Sequence, residues 1–253
     1  MKKRMLCIAN VLWWLCFALY FISGSVLDIG TDASLYYREQ TRAGVVETAG
    51  VSEEELWQLD ERLAICLLGE ENWNDDWGWY GAGKPLRVVV DGVEQDAFNA
   101  REIQHMEDCQ RLFKLLRAVR LGLAIVAVLL LPFIMILEEW KEKPARAGSM
   151  APVWTASLMI TVPLALFALW AVIDFGSAFN FFHRILFTND LWLLNPETDL
   201  LIRICPASMF ESMGLRIALR AAVILLGVPL LLTGLKWISN RVRKRKTNET
   251  VEL

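Results

Sequence analysis

The two histidines of the chain are the residues best suited to proton-transfer chemistry. His105 lies in NAREIQHMEDCQRLF, and His183 lies in the aromatic stretch NFFHRILFTNDLW. An imidazole titrates near pH 6.5, so it can accept a proton and return it at neutral pH. Each histidine adjoins one end of a long apolar run. We therefore predict that the two rings approach each other at one membrane surface.

Two carboxylates and a thiol accompany the first histidine. Because residues three and four apart are neighbours on a helix, Glu102, His105, Asp108 and Cys109 share one face. We expect Asp108 to hold the His105 ring and Glu102 to support it. The alternative is a solvated histidine among surface charges. For His183 the alternative is a histidine that caps the end of a membrane helix inside aromatic packing.

Other nucleophiles near the histidines suggest two further mechanisms. Ser177 and Ser208 flank His183, but the chain lacks the G-x-S-x-G motif of many serine hydrolases. Cys109 or Cys205 could instead attack an ester with the help of a histidine and form an acyl-enzyme. The spacing of the residues leaves the thiol mechanism open.

A metal site is another alternative. His105, His183, Asp108 and Asp190 are possible zinc ligands, but they include no local ligand pair such as H-E-x-x-H. The five cysteines have no regular spacing, which disfavours a disulfide framework or a zinc module. We therefore expect neither a metal nor a cofactor.

The composition is that of an integral membrane protein. Hydrophobic residues make up 55% of the 253 residues, and the mean hydropathy of +0.36 is too high for an ordinary soluble domain of this size. The apolar residues form runs long enough for a helix to cross the hydrocarbon core. Membrane helices tolerate the prolines within these runs. We predict an all-α membrane fold with four transmembrane helices, at residues 1–27, 114–138, 153–174 and 214–238.

Short basic segments indicate the orientation of the spans. Lysine and arginine precede the first span and are enriched in the loop 139–152 and in the tail 239–253. All three segments fall on the same side, which the positive-inside rule makes cytoplasmic. Residues 28–113, with 19 acidic and 7 basic residues, and residues 175–213 then face outward. A non-catalytic sensor or transporter with an outward cap is the alternative, although no span carries a central ionisable residue, as transport would favour.

Local signals within residues 28–113 predict a small α+β cap. Ser52 with Glu55 forms a capping box, a helix follows, and Gly69 can close that helix. PLRVVVDGVEQDAF then predicts a hairpin with an Asp91-Gly92 turn of type I′. Residues 71–84, rich in tryptophan, predict either a membrane-dipping aromatic belt or part of the core of the cap. A second capping box at Asn99 begins a helix that leads into span two.

Four arginines lie at the heads of two spans. Arg117 and Arg120 precede the apolar part of span two, and Arg216 and Arg220 occupy the same position in span four. Such side chains either snorkel to the lipid headgroups or face a polar pocket. In a pocket they would hold ester carbonyls or a phosphate.

Two segments of the chain resemble a known family. EIQHMEDCQRLF and FHRILFTNDLWLLNPETDLLIRICPASMF are similar to the H-x-x-D and F-H-x(3)-F-x-N-x(2)-W-x(3)-P-x(2)-D-x-L-I elements of the bacterial lipoprotein intramolecular transacylases. The four-span layout and the ETAGVSEEEL segment extend the resemblance over most of the chain. Cys109 departs from it, since a small apolar residue is expected there.

The resemblance implies a membrane acyltransferase with His105 and His183 as catalytic residues at the boundary between cap and membrane. Such enzymes move the sn-2 acyl chain of a diacylated lipoprotein to the α-amino group of its N-terminal cysteine, which leaves a lyso-form lipoprotein. The implied partners are this lipoprotein and membrane lipids, without nucleic acid. We expect a monomer in the bacterial cytoplasmic membrane, with cytoplasmic termini and an extracytoplasmic active site. Action on another lipid ester, by transfer or hydrolysis, is the alternative within this class.

Aromatic and polar residues near the histidines could form the substrate pocket. Aromatic rings would supply its walls, and a histidine N–H, an asparagine or an arginine would stabilise the oxyanion, which is worth about 3 kcal/mol for one well-placed donor. An imidazole can relay the proton of an α-amino group, whose pKa is near 8. Neither Cys109 nor Cys205 is then expected to be a nucleophile, because direct attack by the amine needs no acyl-enzyme. The pocket candidates are Asn180, Phe182, Arg184, Phe187, Asn189, Trp192, Arg117, Arg120, Arg216 and Arg220.

Overall fold

The computed structural model describes residues 2–69, 86–139 and 149–251, which are mostly helical. The aromatic run at 71–84 and most of the basic loop at 139–152 lie outside the described residues, so the predictions for them stay predictions. The elements in chain order are α1 (Lys2–Gly30), α2 (Ala33–Arg42), α3 (Val45–Ala49), α4 (Glu53–Leu68), β1 (Arg87–Val90), β2 (Val93–Asp96), α5 (Ala100–Glu139), α6 (Ala151–Ile173), α7 (Phe175–Leu186), α8 (Leu200–Ile204), α9 (Ala207–Ala222), a π-helical turn (Val223–Gly227) and α10 (Val228–Val251).

Within the described part of the chain, four helices are long and apolar enough to cross a membrane. They are Lys2–Gly30, Ala100–Leu137, Ala151–Ile173 and Ala207–Arg243. The prediction of four spans is confirmed, but the second and fourth helices begin well before their apolar runs. α5 continues without a break from the Asn99 cap into its span.

The chain divides into two compact units. The first comprises Met1–Ile22, Arg120–Leu166 and Ala218–Leu253. Small residues allow its helices to approach closely, since Ala18 and Ala221 pack with Leu225 in a buried cluster. Trp14 Nε1 donates to Ser157 Oγ at 2.8 Å, which satisfies a polar group that would be costly in hydrocarbon.

The π-helical turn in this unit precedes a proline. Pro229 has no N–H to donate four residues back, and its ring would clash with that carbonyl in a regular helix. The helix instead widens into a π-helical turn, in which the Val228 N–H donates to the Val223 carbonyl five residues back. One turn further on, Thr233 Oγ1 donates to the Pro229 carbonyl at 2.7 Å. The proline is thus accommodated by local backbone adjustment, as expected for a membrane helix.

The second unit, Ser23–Val119 and Phe167–Ile217, contains both histidines. Its core is formed by apolar side chains of α4, the hairpin, the start of α5 and α8. Leu56, Leu59 and Ile204 are fully buried there. This cap places α4 and the first turns of α5 against the segment that follows α7.

The predicted hairpin and the predicted start and end of α4 are confirmed. β1 pairs antiparallel with β2 in the register Val90↔Val93, and both turn residues have positive φ, 51° at Asp91 and 81° at Gly92, as type I′ requires. Ser52 and Glu55 form the capping box, and Gly69 ends α4 with φ 68°. Glu55 Oε1 also accepts the Val89 N–H at 2.6 Å, which fastens the hairpin to α4.

Two helices within residues 28–113, α2 and α3, were missed from the sequence, as were α7 and α8 in the second outward segment. Asp32 caps the start of α2, because its carboxylate accepts the Leu35 N–H. The short α3 lies between Gly44 and Gly50, which both adopt the left-handed conformation. An aspartate followed three residues later by an apolar residue is a signal too common to single out α2. The five residues of α3 are too few for a periodic pattern.

Candidate active site

The two imidazoles lie close together. Their ring centroids are 6.2 Å apart, although 77 residues separate them in the sequence. Both are largely buried, with 7% of His105 and 8% of His183 exposed. The predicted approach of the rings is therefore observed, and one reacting group could contact both.

α7 positions His183 within a cluster of aromatic rings. Asp174 caps the helix by accepting the Ser177 N–H at 3.0 Å. Phe187 and Trp192 cover the His183 ring. Their ring centroids lie 5.6 and 5.1 Å from that of His183. Phe187 also contacts His105 edge-on at 5.1 Å, so this side chain bridges the two imidazoles.

The hydrogen bond of His183 fixes its tautomer. Nδ1 lies 2.8 Å from the Phe179 carbonyl, and because a carbonyl can only accept, Nδ1 carries the proton. The lone pair of the neutral ring is then on Nε2. Burial lowers the pKa of His183, an effect that the bond to Phe179 opposes. The neutral, proton-accepting form is therefore favoured at neutral pH.

The loop after α7 is fastened to the first turns of α5. Asn99 Nδ2 donates to Asp199 Oδ1 at 2.8 Å, and Arg101 donates to the Asp190 carbonyl at 2.6 Å. Asp199 Oδ2 also accepts the Asn195 N–H at 2.8 Å. These bonds hold the loop that carries Phe187 and Trp192 beside His105. The roles of Asn99, Arg101 and Asp199 were missed, although the D in the second sequence element marked Asp199.

Glu102 has a different role from the one expected. Its carboxylate closes the capping box by accepting the Asn99 N–H at 2.7 Å, and it accepts the Leu201 N–H at 2.7 Å. It is fully used by backbone donors, because the start of α5 and the start of α8 both leave N–H groups without helical partners. The expected support of the His105 ring is therefore indirect.

Asp108 does not hold the His105 ring. Its carboxylate accepts from Arg111 at 2.8 Å and from Asn189 Nδ2 at 2.8 Å. Three-residue spacing allowed a contact with His105, but Arg111 and Asn189 supply stronger donors. His105 Nδ1 is buried without a hydrogen-bond partner, and Nε2 lies 3.7 Å from Cys109 Sγ.

A pocket of about 160 Å³ adjoins the histidines. It combines a charged wall from α5 with an apolar wall from the end of α7. Phe187 belongs both to this pocket and to the histidine cluster. The residues that line the pocket are Asp108, Arg111, Leu112, Leu186, Phe187, Thr188 and Asn189.

The other pocket candidates divide into two groups. Phe182 touches His183 edge-on at 5.6 Å, and Trp192 stacks near it, whereas Asn180 and Arg184 are exposed on α7. The arginines have other partners. Arg117 donates to the Leu67 carbonyl at 3.1 Å, at the end of α4 where orphan carbonyls attract a cation.

None of the other three arginines lines the pocket. Arg120 lies over the Tyr20 ring at 4.3 Å in the first unit. Arg216 binds Glu39 at 3.3 Å, and Arg220 lies further along α9. Arg117, Arg120 and Arg216 have carbonyl, aromatic and carboxylate partners in this structure, and a role for them in holding the substrate stays a prediction.

The geometry of the described residues bears on the metal and thiol alternatives. In residues 2–69, 86–139 and 149–251, no three His, Cys, Asp or Glu side chains converge as metal ligands. Burial raises the pKa of the Cys205 thiol and keeps it protonated. Cys109 is the thiol next to an imidazole.

Comparison with known proteins agrees with these features. The family model "Lipoprotein intramolecular transacylase Lit" matches residues 11–210. Comparison with curated proteins gives no match. The fold is similar to the in meso structure of the membrane-integral lipoprotein intramolecular transacylase Lit from Bacillus cereus, with a TM-score of 0.70 and 18% identity over 95% of this chain and 99% of that chain.

A variant of the same Bacillus cereus protein, with one histidine replaced by arginine, is also similar. Its TM-score is 0.66 and its identity 19%, over 97% of this chain and 96% of that chain. The match of the family model covers well over half of the chain. This membrane-integral protein therefore belongs to the lipoprotein intramolecular transacylase family.

Proposed function

We propose that this protein transfers the sn-2 acyl chain of a diacylated lipoprotein to the α-amino group of the N-terminal cysteine of the same molecule. The observation that carries the proposal is the pair of buried imidazoles 6.2 Å apart in a member of this family. Amine and ester belong to one substrate, so the enzyme must chiefly fold that substrate into a reactive ring. Such orientation is worth several kcal/mol and up to about 10 kcal/mol.

His183 is the general base in this mechanism. Its Nε2 lone pair accepts the proton of the attacking amine, while Nδ1–H stays bound to the Phe179 carbonyl. The new bond joins the amine nitrogen to the acyl carbon. The bond between that carbon and the glyceryl oxygen then breaks, and the proton passes from Nε2 to the departing oxygen. His105 is the second imidazole and donates an N–H to the oxyanion.

The pocket beside Phe187 receives the polar end of the substrate. Asp108 and Leu112 come from α5, and Leu186 and Asn189 come from the end of α7 and the loop after it. The Asp108 carboxylate and the Asn189 amide can hydrogen-bond the neutral amine, whereas the leucines accept the start of an acyl chain. The pocket opens on the extracytoplasmic side if the basic flanks orient the chain as the sequence predicts. The protein acts as a monomer, because amine, ester and both histidines belong to one substrate and one chain.

Mass spectrometry of a diacylated lipopeptide tests the proposal. After incubation with the purified protein, the mass should be unchanged, and fragmentation should locate one acyl chain on the α-nitrogen. His183→Ala and His105→Ala should each abolish the transfer of the acyl chain to nitrogen. Gln104→Ala, on the exposed side of α5, should retain it. Loss of one acyl mass would instead indicate an ester hydrolase.

The contact between Cys109 Sγ and His105 Nε2 at 3.7 Å favours a second mechanism, through an acyl-enzyme. In that mechanism the thiolate takes the acyl chain first and the amine takes it second. The direct mechanism predicts that Cys109→Ala keeps most of the activity. A thioester trapped on Cys109 during turnover would establish the acyl-enzyme and overturn direct transfer.

A further inference from the structure

Three arginines converge on one carboxylate oxygen in the second unit. Glu39 Oε1 lies 3.0 Å from Arg42 Nη1, 3.3 Å from Arg216 Nη2 and 3.7 Å from Arg38 Nε. The cluster of Arg38, Glu39, Arg42 and Arg216, here called the arginine cluster, joins α2 to α9. Glu39 and the Asp32 carboxylate, which interacts electrostatically with Arg38, together offset two of the three guanidinium charges, so the cluster keeps a net positive charge of about one.

The arginines keep donors for a further partner. The Glu39 side chain is 10% exposed, whereas those of Arg38, Arg42 and Arg216 are 46%, 64% and 42% exposed. Each guanidinium has five N–H donors, and one buried oxygen can accept only a few of them. The exposed edges of the arginines therefore form a cationic surface over a buried carboxylate.

The position of the arginine cluster indicates a lipid as its ligand. Arg216 stands where the apolar run of α9 begins, beside Leu215, which is 61% exposed. Exposed leucine next to exposed arginine is the pattern of a membrane interface, with acyl chains on one side and headgroups on the other. Arginine binds phosphate through paired N–H donors.

We propose that the arginine cluster binds the phosphodiester of an anionic phospholipid. The site is independent of the acyl transfer, because a diacylglyceryl cysteine carries no phosphate. It lies on α2 and α9, outside the pocket lined by Asp108 and Phe187. The bound lipid would fasten the cap to the membrane surface from which the substrate is drawn.

Thermal unfolding of the purified protein in a neutral detergent tests the proposal, with short-chain phosphatidylglycerol, short-chain phosphatidylcholine and inorganic phosphate as separate probes. Phosphatidylglycerol should raise the melting temperature, and the other two probes should not. In an Arg38→Gln, Arg42→Gln double variant, the apparent affinity for phosphatidylglycerol should fall on the order of thirtyfold, at about fivefold for each arginine near a membrane surface.

Arg87→Gln is the matched control, since Arg87 is an equally exposed arginine whose partners, Glu94 and Asp96, lie on the hairpin. Its affinity should equal that of the wild type. Equal stabilisation by phosphatidylcholine or by inorganic phosphate would overturn the proposal, as would unchanged affinity in the double variant. If the double variant fails to fold, Arg38→Gln alone should show the fivefold loss, and unchanged affinity there would also overturn it.

Discussion

The two imidazoles differ in what surrounds their ring nitrogens. The His183 Nδ1–H is held by a backbone carbonyl, so this ring has a fixed orientation and one free lone pair. His105 Nδ1 is buried without a partner, and its other nitrogen meets only a weakly polar thiol. A group that is held while it accepts a proton suits a base, and a group with an unused nitrogen suits a donor to a transient oxyanion.

The pH dependence of transfer should report the burial of His183. Its pKa is lowered by burial, so the base stays neutral below pH 6.5. Activity should fall first as the substrate amine is protonated below about pH 8, and again as the pH falls through the lowered pKa of His183. Phe187→Ala uncovers the ring and should move this acid limb up towards pH 6.5, whereas Phe187→Leu should leave it nearly in place. The measurement is kcat/KM for the lipopeptide from pH 4.5 to 8. If the pH of this acid limb is the same in the wild type and in both variants, His183 is not the base.

A buried carboxyl group in the cap predicts a second pH effect. Asp60 is fully buried, and burial raises its pKa to about 8, although a hydrogen bond from Gln40 opposes the shift. The folded state therefore binds this proton more tightly than the unfolded state, whose value is near 3.9. The stability contributed by the protonated group is complete below about pH 4 and is lost as the pH rises towards 8.

Asp60→Asn tests this linkage, because the amide resembles the protonated acid and does not titrate. The melting temperature of the wild type should fall between pH 5 and 8 relative to that of the variant. Thermal unfolding across this range gives the comparison. Parallel curves for the two proteins would show that Asp60 is already ionised in the folded state.

At the scale of elements, the site depends on how α5 holds the loop after α7. α5 and α7 each carry one histidine, but neither helix contains the bonds that set the distance between the rings. Asp199 links the start of α5 to the end of the loop through Asn99 and Asn195. This loop supplies Phe187 and Trp192, so its position decides how the rings are covered.

Asp199→Ala should loosen this loop. The loss leaves three donors, Asn99 Nδ2, the Asn195 N–H and Thr198 Oγ1, without their acceptor, at a cost of about 1–3 kcal/mol in stability. Misplacement of the rings should lower kcat by about tenfold to a hundredfold. Glu197→Ala, an exposed acidic residue of the same loop, is the control and should change neither quantity. Full kcat in Asp199→Ala would show that α7 alone positions His183.

The contact between α3 and the hairpin can be tested with a matched pair of glycines. Gly50 and Gly92 have φ of 67° and 81°, so alanine at either position adopts a left-handed conformation at about 1–2 kcal/mol. Only at Gly50 would the new Cβ meet another residue, at 2.6 Å from Asp91 Cγ, whereas nothing lies within 4 Å at Gly92. Chemical unfolding should therefore find Gly50→Ala the less stable of the two variants, and equal stability would show that the hairpin moves aside freely.

At the scale of the whole molecule, the apolar stretches of the long helices differ from the second unit in what they expose. Exposed leucines and valines along α5, such as Val128 and Leu129 at 64% and 66% exposure, would be unfavourable in water and are favourable in lipid. The cap, by contrast, has its own buried core around Leu56 and Ile204. The histidine pair belongs to the unit that contains this core.

The orientation of the chain predicts the labelling of its segments. A reporter fused after Leu253 should be active only in the cytoplasm, because the basic tail stays there. A tag inserted at residues 72–84 should react with an impermeant reagent added from outside. Reversed labelling would place the histidines on the cytoplasmic face and contradict the proposed substrate access.

The sequence by itself determined the four spanning helices, the capping boxes of α4 and α5, and the identity of the paired histidines. These depend on local chemistry: apolar runs of spanning length, the Ser52 and Asn99 capping boxes, and the Asp91-Gly92 turn, all of which involve residues a few positions apart. The aromatic element around His183 carried enough specific residues to indicate the family. Short-range signals of this kind were confirmed because no distant partner competes with them.

Only the tertiary structure decided the partners of the charged side chains. Asp108 accepts hydrogen bonds from Arg111 and Asn189, and Arg117 donates one to the end of α4. Helical spacing alone allowed other contacts. A long side chain can reach several groups within one turn, and the strongest donor or acceptor that packing brings near decides among them. The distance between His105 and His183 likewise depends on the Asn99–Asp199 bond, which joins residues 100 positions apart.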